Sequence, residues 1–420
     1  MADILEIWGG RPLYGTVTVP SAKNSVLPLL AATVLCREKV CLEKVPHLSD
    51  VTAELELLRH LGISARQSGE TVQIKPGRKI GSELPTEWMQ QLRASVLFLA
   101  PVLSRTGSVE ACLPGGCRLG ARPIDIHLDG LAHMGAMIHW HEERLYLRAP
   151  RGLNGMTYTL RCPSVGATET LLLASVCAKG ETVLHGVARE PEISDLANFL
   201  NACGGRIEGA GTNTIHITGV DTLTGTCYTP IPDRIVAATV ACACASAGGR
   251  VEIQGIEGKY FAPVLDALAQ AGCQIQQQPS CVIVARNQPL QGIGEITTGV
   301  YPGFPTDAAP LLAAALLNAE GESCIRDTIF SHRFACAEGF AAMGARVQQE
   351  GAALRIYPGG NLHSTDVQAQ DLRGGAALLI AALETSGKTA IFDSFYLRRG
   401  YPDLENQLRL LGIKVGRRKK

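Results

Sequence analysis

Residues 58–74 read LRHLGISARQSGETVQI, and the pattern in this stretch predicts the fold of the whole chain. The stretch begins as the end of an amphipathic helix, and Gly62 follows where a left-handed helix cap is expected. Two alternating segments separated by a polar turn come next, and such a pair is typical of a β-hairpin. The stretch therefore predicts a small unit in which a helix is followed by two antiparallel strands.

The same pattern occurs five more times, and its glycine returns about every 70 residues. The other copies begin at Leu131, Leu200, Leu268, Phe340 and Leu408, with Gly135, Gly204, Gly272, Gly344 and Gly412 at the cap position. All but the last continue into a second strand. Repeats of this length are folding units in their own right rather than solenoid modules. Six units in 420 residues predict an α/β protein of two domains with three units each.

Two local motifs resemble the binding sites of other classes of protein. GAGTN at Gly209 begins like a dinucleotide-binding loop, but it lies in the predicted hairpin turn of the third copy, with no helix after it. HWHEE, residues 139–143, offers two histidines on one strand face, which could bind a metal. It occupies the hairpin turn of the second copy, so an exposed polar turn is the preferred interpretation.

The composition excludes several classes of protein. Lys+Arg and Asp+Glu number 39 each, which argues against a general nucleic-acid or membrane-surface binder. There is no secretory signal, and no apolar run reaches the roughly 20 residues that a membrane span needs. Most of the 14 cysteines stand singly in apolar runs without zinc-site spacing, which is typical of buried side chains in the reducing cytoplasm. Cys117 is the exception, because it lies in LPGGCRLGARPID among glycines and arginines.

Several charged or polar residues stand where an apolar helix begins. Ser21 is predicted to cap a helix with Lys23 in its first turn, where a cation is unfavourable unless it meets an anion. Comparable starts carry Arg93, Ser164, Gly166, Asp307, Arg333 and Arg373. The free N–H groups of helix starts attract anions. If the helices of each domain run parallel, these starts meet on one face, and two such faces would form an anion-binding cleft.

Nine short motifs, in order, resemble one protein family. They are AKN at 22–24, LRAS at 92–95, the single loop motif LPGGC…GARPIDIH at 113–127, SVGATE at 164–169, REPEI at 189–193, PDRI at 232–235, FPTD at 304–307, DLR at 371–373 and RGY at 399–401. Over essentially its whole length the chain resembles the bacterial UDP-N-acetylglucosamine enolpyruvyl transferases of the EPSP synthase superfamily. The resemblance implies two inverse α/β barrels of three βαβ-type repeats each. Residues 22–231 would form one domain and residues 1–21 plus 232–420 the other, with the active site in the cleft between them.

The resemblance also implies a reaction. The enolpyruvyl group of phosphoenolpyruvate would pass to the 3′-hydroxyl of UDP-N-acetylglucosamine through a tetrahedral intermediate, and phosphate would leave. This would be the first committed step of peptidoglycan precursor synthesis. Neither a metal nor an organic cofactor is implied, because arginines would supply the positive charge. The expected partners are the two small-molecule substrates, with no nucleic acid, membrane or obligate protein partner.

The resemblance assigns roles to individual residues. Cys117, on a mobile lid loop, would protonate the methylene carbon of phosphoenolpyruvate, and Asp307 would be the base at the acceptor hydroxyl. The implied phosphoenolpyruvate contacts are Lys23, Arg93, Arg122 and Arg399, of which Lys23 and Arg399 complete the catalytic set. The implied nucleotide-sugar contacts are Asn24, Arg93, Arg122, Pro123, Ile124, Asp125, Ile126, Ser164, Val165, Gly166, Asp307 and Ile329. Asp50, Arg333, Asp371 and Arg373 are implied to support domain closure and charge balance.

Three positions depart from the family pattern. Ser21 replaces the usual glycine before AKN, and residues 96–98 (VLF) stand where a tryptophan is usual after LRAS. Arg398 replaces the usual aspartate before RGY and adds a cation beside Arg399. The alternatives are the related shikimate enzyme, an RNA 3′-phosphate cyclase and a non-catalytic sensor of the nucleotide sugar. Release of phosphate from phosphoenolpyruvate on addition of UDP-N-acetylglucosamine distinguishes the proposed enzyme from all three.

Overall fold

The computed structural model describes residues 3–112, 115 and 123–419, and the chain divides into two compact units. One unit, here called the continuous unit, comprises the described residues between 21 and 231. The other, here called the split unit, combines residues 3–20 with residues 232–419. Which unit binds which part of the substrates stays a prediction.

The repeated glycine and hairpin predicted from the sequence are present in both units. Each cap glycine has a positive φ, between 84° at Gly62 and 106° at Gly272. The five hairpins pair Ser64–Ser68 with Thr71–Lys75, Met137–His141 with Arg144–Arg148, Ile207–Glu208 with Thr214–Thr218, Gln274–Gln278 with Cys281–Arg286, and Arg346–Glu350 with Ala353–Tyr357. In the sixth copy, strand Lys414–Lys419 pairs instead with Asp3–Gly9, so the chain start supplies the missing strand.

The described strands form six sheets, three in each unit. In the continuous unit the hairpins are joined by Val40–Leu42 and Cys227–Tyr228, by Ser108–Cys112, and by Glu181–His185 and Thr157–Thr159. In the split unit the added strands are Leu13–Thr18 and Gly249–Gln254, Gly294–Thr297 and Ser323–Arg326, and Val367–Gln368 and Gly387–Phe392. Each four-stranded sheet has one parallel pair at an edge, and the rest of its pairing is antiparallel.

The helices connect these sheets. In the continuous unit they span Lys23–Ala32, Ser49–His60, Thr86–Gln91, Leu99–Thr106, Asp125–His133, Val165–Ser175 and Pro191–Ala202, with 3₁₀ turns at Thr33–Leu35 and Arg93–Phe98. In the split unit they span Arg234–Ala247, Ala262–Gln270, Ala309–Ala315, Ala337–Ala342, Leu372–Glu384 and Leu404–Leu410, with 3₁₀ turns at Gly258–Phe261, Thr306–Ala308 and Ser394–Arg399. Among the described residues, no helix combines the length and the apolar character needed to cross a bilayer.

The core of each unit is built on helices that are buried nearly all round. In the split unit, Arg234–Ala247, Ala309–Ala315 and Leu372–Glu384 pack on one another, and each contacts a different sheet. A helix that is apolar on every side is stable only inside such a core. Lys23–Ala32 and Val165–Ser175 are the corresponding buried helices of the continuous unit. Helices inside and sheets outside confirm the predicted inverse α/β barrel with three repeats per domain.

Candidate active site

A group of charged residues in the split unit surrounds Asp307. Asp307 lies in the 3₁₀ turn Thr306–Ala308, directly before the buried helix Ala309–Ala315. Its Oδ1 accepts a hydrogen bond from Arg333 Nη2 at 3.1 Å, and its Oδ2 accepts from both Nε and Nη2 of Arg373, at 3.2 and 3.1 Å. Asp307 is partly exposed, whereas both arginines are buried. The structure therefore brings together three residues that the sequence analysis had taken from separate predicted helix starts.

These contacts decide the charge state of Asp307. Burial alone would raise the pKa of its carboxyl group, but the guanidinium groups of Arg373 and Arg333 hold that pKa well below its usual range. For Arg373, burial opposes the charged form, but Asp307 and then Tyr401 outweigh it and raise the guanidinium pKa. Asp307 is therefore a carboxylate, and Arg373 a cation, at any pH near neutrality.

Arg373 and Arg333 are themselves held by further contacts. Arg373 Nη1 donates to the hydroxyl of Tyr401 at 3.2 Å, and that hydroxyl lies 2.9 Å from Thr239 Oγ1. Asp371 caps helix Leu372–Glu384 by accepting from the backbone N–H groups of residues 373 and 374, both at 2.9 Å. Arg333 Nε lies 3.7 Å from the buried carboxylate of Asp327. This packing fixes both guanidinium groups beside Asp307.

The neighbouring Arg398 and Arg399 differ in their surroundings. Arg399 ends the 3₁₀ turn Ser394–Arg399 and is half-buried. The side chain of Arg398 is 48 % exposed, and its Nη2 lies 3.5 Å from Asp3 Oδ1. Arg417 contacts the same aspartate at 2.5 Å. The cation that departs from the family pattern thus has a carboxylate partner within the split unit.

In the continuous unit, Lys23 has an anionic partner, as its position in the first turn of a helix predicts. Lys23 begins helix Lys23–Ala32, and its Nζ forms a 2.6 Å ion pair with Asp50 Oδ2. Both side chains are buried. The prediction that Ser21 caps this helix is wrong: Ala22 occupies the cap position, and the Ser21 hydroxyl donates to the carbonyl of Pro230 at 3.3 Å.

Two buried glutamates lie in the same unit, and one of them, Glu54, is close to this ion pair. Glu54 follows Asp50 by one turn of helix Ser49–His60, is fully buried, and has no hydrogen-bond partner for either oxygen among the described residues. Burial first, and Asp50 second, raise the pKa of Glu54 well above its usual range. Burial first, followed by the nearby Glu192 and Glu190, has the same effect on Glu169. Each carboxyl group is therefore held in its neutral form.

The predicted nucleotide-sugar residues of the continuous unit include several that contact one another or shared neighbours. Arg93 Nη2 donates to the carbonyl of Pro123 at 3.3 Å, and Asp125, the first residue of helix Asp125–His133, pairs with the exposed Arg161. Ser164 caps helix Val165–Ser175 by accepting from the backbone of residue 167 at 3.3 Å. Gly166 lies so close to His127 that a Cβ there would be 3.1 Å from the ring. A larger residue at 166 would therefore displace the imidazole.

The remaining predictions have mixed outcomes. Asn24 and Ile329 are exposed, and Ile124 and Ile126 are buried. Cys117 and Arg122 lie outside the residues that the structure describes, so their roles stay predictions. Residues 96–98, where the family has a tryptophan, are buried in the core.

Of the described cysteines, Cys162 and Cys227 are exposed, so the prediction of buried thiols is wrong for these two. GAGTN lies in a hairpin turn, as predicted, and HWHEE is exposed as predicted, but its residues 139–141 belong to strand Met137–His141 and only residues 142 and 143 form the turn.

The structure adds residues that the sequence analysis did not assign. Arg234 lies in the PDRI motif and stacks over Tyr301, 5.7 Å from its ring centre, and its charge also lowers the pKa of Asp307. Tyr401 lies in the RGY motif, but the resemblance assigned it no role; in the structure its hydroxyl accepts a hydrogen bond from Arg373. A signal for Glu54 was available, because it lies three residues after Val51 and four before Leu58 on the apolar face of its helix.

The fold has known counterparts. The family model for EPSP synthase (3-phosphoshikimate 1-carboxyvinyltransferase) matches residues 7–408. The solved enolpyruvyl transferase NikO from Streptomyces tendae covers 99 % of both chains with a TM-score of 0.89 and 27 % identity. EPSP synthase from Acinetobacter baumannii, at 20 % identity and a TM-score of 0.78, shares the fold. The chain belongs to the EPSP synthase family.

Two curated relatives are more similar in sequence to this chain than these solved structures are. A UDP-N-acetylglucosamine 1-carboxyvinyltransferase 2 from Mesorhizobium japonicum is 40 % identical over 415 residues, which cover 99 % of each chain. A relative of the same name from Staphylococcus saprophyticus is 40 % identical over 418 residues, again with 99 % of each chain covered. The resemblance drawn from the nine motifs is confirmed.

Proposed function

We propose that this chain transfers the enolpyruvyl group of phosphoenolpyruvate to the 3′-hydroxyl of UDP-N-acetylglucosamine and releases phosphate. The observation that carries the proposal is the full-length similarity, at 40 % identity, to relatives named for this activity. The ionised Asp307 between two buried guanidinium groups supports it, because the reaction needs a base at the acceptor and cations for two anionic substrates. The enzyme would work in the cytoplasm and serve peptidoglycan precursor synthesis.

Asp307 acts on the acceptor hydroxyl. Its low pKa makes it a weak base towards a free alcohol, whose proton is far less acidic. As the sugar oxygen bonds to C2 of phosphoenolpyruvate, that oxygen becomes positively charged and its proton becomes strongly acidic. Asp307 therefore orients the hydroxyl first and accepts the proton late, while Arg333 and Arg373 keep the carboxylate in position.

The other substrate is bound by cations. Lys23, with Asp50 as its counterion in the free protein, contacts the phosphate, and the charge of that phosphate replaces part of the pairing. Arg399 holds the carboxylate, which a planar guanidinium matches with two parallel hydrogen bonds. Arg93 and Arg122 add positive charge towards both substrates. Cys117 supplies the proton to C3 of phosphoenolpyruvate. In the elimination the Cys117 thiolate takes a proton back from C3 as phosphate leaves C2, which restores the carbon–carbon double bond in the product.

Release of inorganic phosphate tests this proposal. With phosphoenolpyruvate present, UDP-N-acetylglucosamine should start phosphate release, and mass spectrometry should show the nucleotide sugar gaining one enolpyruvyl group. The matched control replaces the acceptor by shikimate 3-phosphate, which should give no phosphate. Turnover with shikimate 3-phosphate alone would reassign the substrate. Binding of UDP-N-acetylglucosamine without any phosphate release would favour the non-catalytic sensor.

A further inference from the structure

Three metal-ligating side chains meet in the continuous unit, on a sheet that carries none of the proposed catalytic residues. Strand Cys227–Tyr228 pairs in parallel with Val40–Leu42, and Cys41 is the direct partner of Cys227. Glu43 follows Cys41 by two residues, and such residues project from the same side of an extended chain. The two sulfur atoms and a carboxylate oxygen of Glu43 all lie within 4.8 Å of one another.

The backbone and a neighbouring side chain hold the three groups in this arrangement. Cys41 N donates to the carbonyl of residue 226 at 2.8 Å, and Glu43 N donates to that of residue 228 at 2.9 Å. The hydroxyl of Thr229 donates to Glu43 Oε2 at 3.3 Å. A hydrogen bond to the carboxylate is one way in which outer residues orient a metal ligand. Cys227 and Glu43 are exposed and Cys41 half-buried, so an ion can enter from solvent.

We propose that Cys41, Glu43 and Cys227 bind a thiophilic divalent cation, for which Zn²⁺ is the best match. Two thiolates and one carboxylate are a ligand set that suits Zn²⁺ and does not suit Mg²⁺ or Ca²⁺, which prefer oxygen ligands. Tetrahedral Zn–S bonds of about 2.3 Å place two sulfurs roughly 3.8 Å apart. This distance is compatible with the structure, in which the sulfur atoms of Cys41 and Cys227 lie within 4.8 Å of each other. Three protein ligands leave the fourth position to water.

The position of the site gives the ion a structural effect. Val40–Leu42 is the first strand of the continuous unit and Cys227–Tyr228 is its last, so the ligands join the two ends of this unit. An ion that binds the folded form and not the unfolded chain stabilises the folded form by mass action. Zn²⁺ should therefore raise the unfolding temperature in a concentration-dependent way. The sequence could not show the site, because Cys227 lies far along the chain from Cys41 and Glu43.

A Co²⁺ titration of the reduced protein tests the proposal. One equivalent of Co²⁺ should produce the visible bands of a tetrahedral ion and the near-ultraviolet band of sulfur-to-cobalt charge transfer, and Zn²⁺ should remove both. Cys41→Ser and Cys227→Ser should each weaken binding more than 10-fold, and Thr229→Ala about 10-fold. The matched control is Cys162→Ser, which removes another exposed thiol and should leave the titration unchanged.

The outcomes separate this site from other thiols and from the proposed activity. A spectrum that persists in Cys227→Ser, or one that Cys162→Ser abolishes, would overturn the assignment. Absence of any tetrahedral spectrum in the reduced wild type would also overturn it, as would a Cys41–Cys227 disulfide with no metal uptake after reduction. Cys227→Ser should release phosphate at the wild-type rate, so the result does not depend on whether the proposed reaction is correct.

Discussion

The split unit and the continuous unit favour opposite protonation states of a carboxyl side chain. In the split unit, Asp307 has the guanidinium groups of Arg333 and Arg373 at 3.1 Å, and its pKa lies well below the usual range. In the continuous unit, Glu54 is fully buried, no described group hydrogen-bonds to it, and its pKa lies well above the usual range. One carboxyl group is therefore fixed as an anion and the other as a neutral acid.

The number of available cations explains this difference. Burial favours the neutral acid in both places, because the charged form loses its hydration. Two arginines overcome this cost for Asp307. The nearby Lys23 is already paired with Asp50 at 2.6 Å, so Glu54 receives more repulsion from Asp50 than attraction from Lys23. The structure thus holds one carboxylate, which is proposed to act as a base, and one uncharged carboxyl group near Lys23, which is proposed to contact phosphate.

The largest expected effect concerns the anionic member of this comparison. Asp307→Asn keeps the shape of the side chain but removes its charge and its ability to accept a proton. We expect phosphate release to fall by about 10² to 10⁴-fold, the usual contribution of a positioned base. Steady-state kinetics with both substrates saturating measure this change. Asp266→Asn, on the exposed side of helix Ala262–Gln270, is the control and should have wild-type turnover.

The next effect is on stability. Arg333→Met removes a guanidinium group that is 1 % exposed and leaves the buried carboxylate of Asp327 without its charge partner. Breaking a buried pair from one side costs about 3–5 kcal/mol, so urea should unfold this variant at a clearly lower concentration. Arg326→Met breaks the exposed 2.8 Å pair with Glu295 and should leave the midpoint nearly unchanged. Equal losses in the two variants would contradict the importance of burial.

The neutral member of the comparison predicts a pH dependence. Because the pKa of Glu54 is raised by folding, the folded chain holds a proton that the unfolded chain releases above about pH 4.3. Its contribution to stability is complete below that pH and is lost as the pH rises through the raised pKa, by at most about 1.4 kcal/mol per pH unit. Glu54→Gln lacks this loss, so its stability relative to wild type should increase between pH 5 and pH 8. Urea unfolding at a series of pH values measures it.

Two controls make this test specific. Glu56→Gln, on the same helix but partly exposed and paired with Arg59, should run parallel to wild type over the same pH range. Asp307 acts with the opposite sign: its lowered pKa gives stability that is present above about pH 4 and lost as the pH falls further. If Glu54→Gln and wild type lose stability in parallel as the pH rises, Glu54 is not held neutral in the folded protein.

The smallest expected effect concerns Arg398. Its contact with Asp3 is 3.5 Å long and its side chain is half exposed, so Arg398→Ala should change the free energy of unfolding by about 1 kcal/mol or less. Because Arg417 lies on the same carboxylate at 2.5 Å, Asp3 keeps a charge partner. A kinetic defect larger than the stability change would show that Arg398 acts on substrate binding instead.

The repeat and its helix caps could be predicted because they are local. Gly62 and its equivalents predict a positive φ at the end of a helix, and the alternation of apolar and polar residues after them predicts a hairpin. The strand that completes the last repeat could not be found in this way, since Asp3–Gly9 is more than 400 residues away from Lys414–Lys419 in the chain. Patterns in a sequence report neighbours along the chain, and not partners across a sheet.

The candidate site shows the same limit. The sequence indicated Asp307, Arg333 and Arg373 as candidate site residues one by one, each at its own predicted helix start. Their mutual contacts depend on how three segments pack, and so does the state of the Asp307 proton. The expectation that Ser21 caps a helix failed for the same reason, because its hydroxyl is used by Pro230 at the other end of the unit.

The pairing of the first two strands decides when each unit can form during synthesis. The continuous unit has all its strands once Cys227–Tyr228 has left the ribosome. Strand Leu13–Thr18 must wait for Gly249–Gln254, and Asp3–Gly9 must wait for Gly387–Phe392 and Lys414–Lys419. Unpaired strands are the places where nascent chains join wrong partners. The segment at greatest risk of misassembly is thus Asp3–Gly9, whose partner strands are made almost 400 residues later.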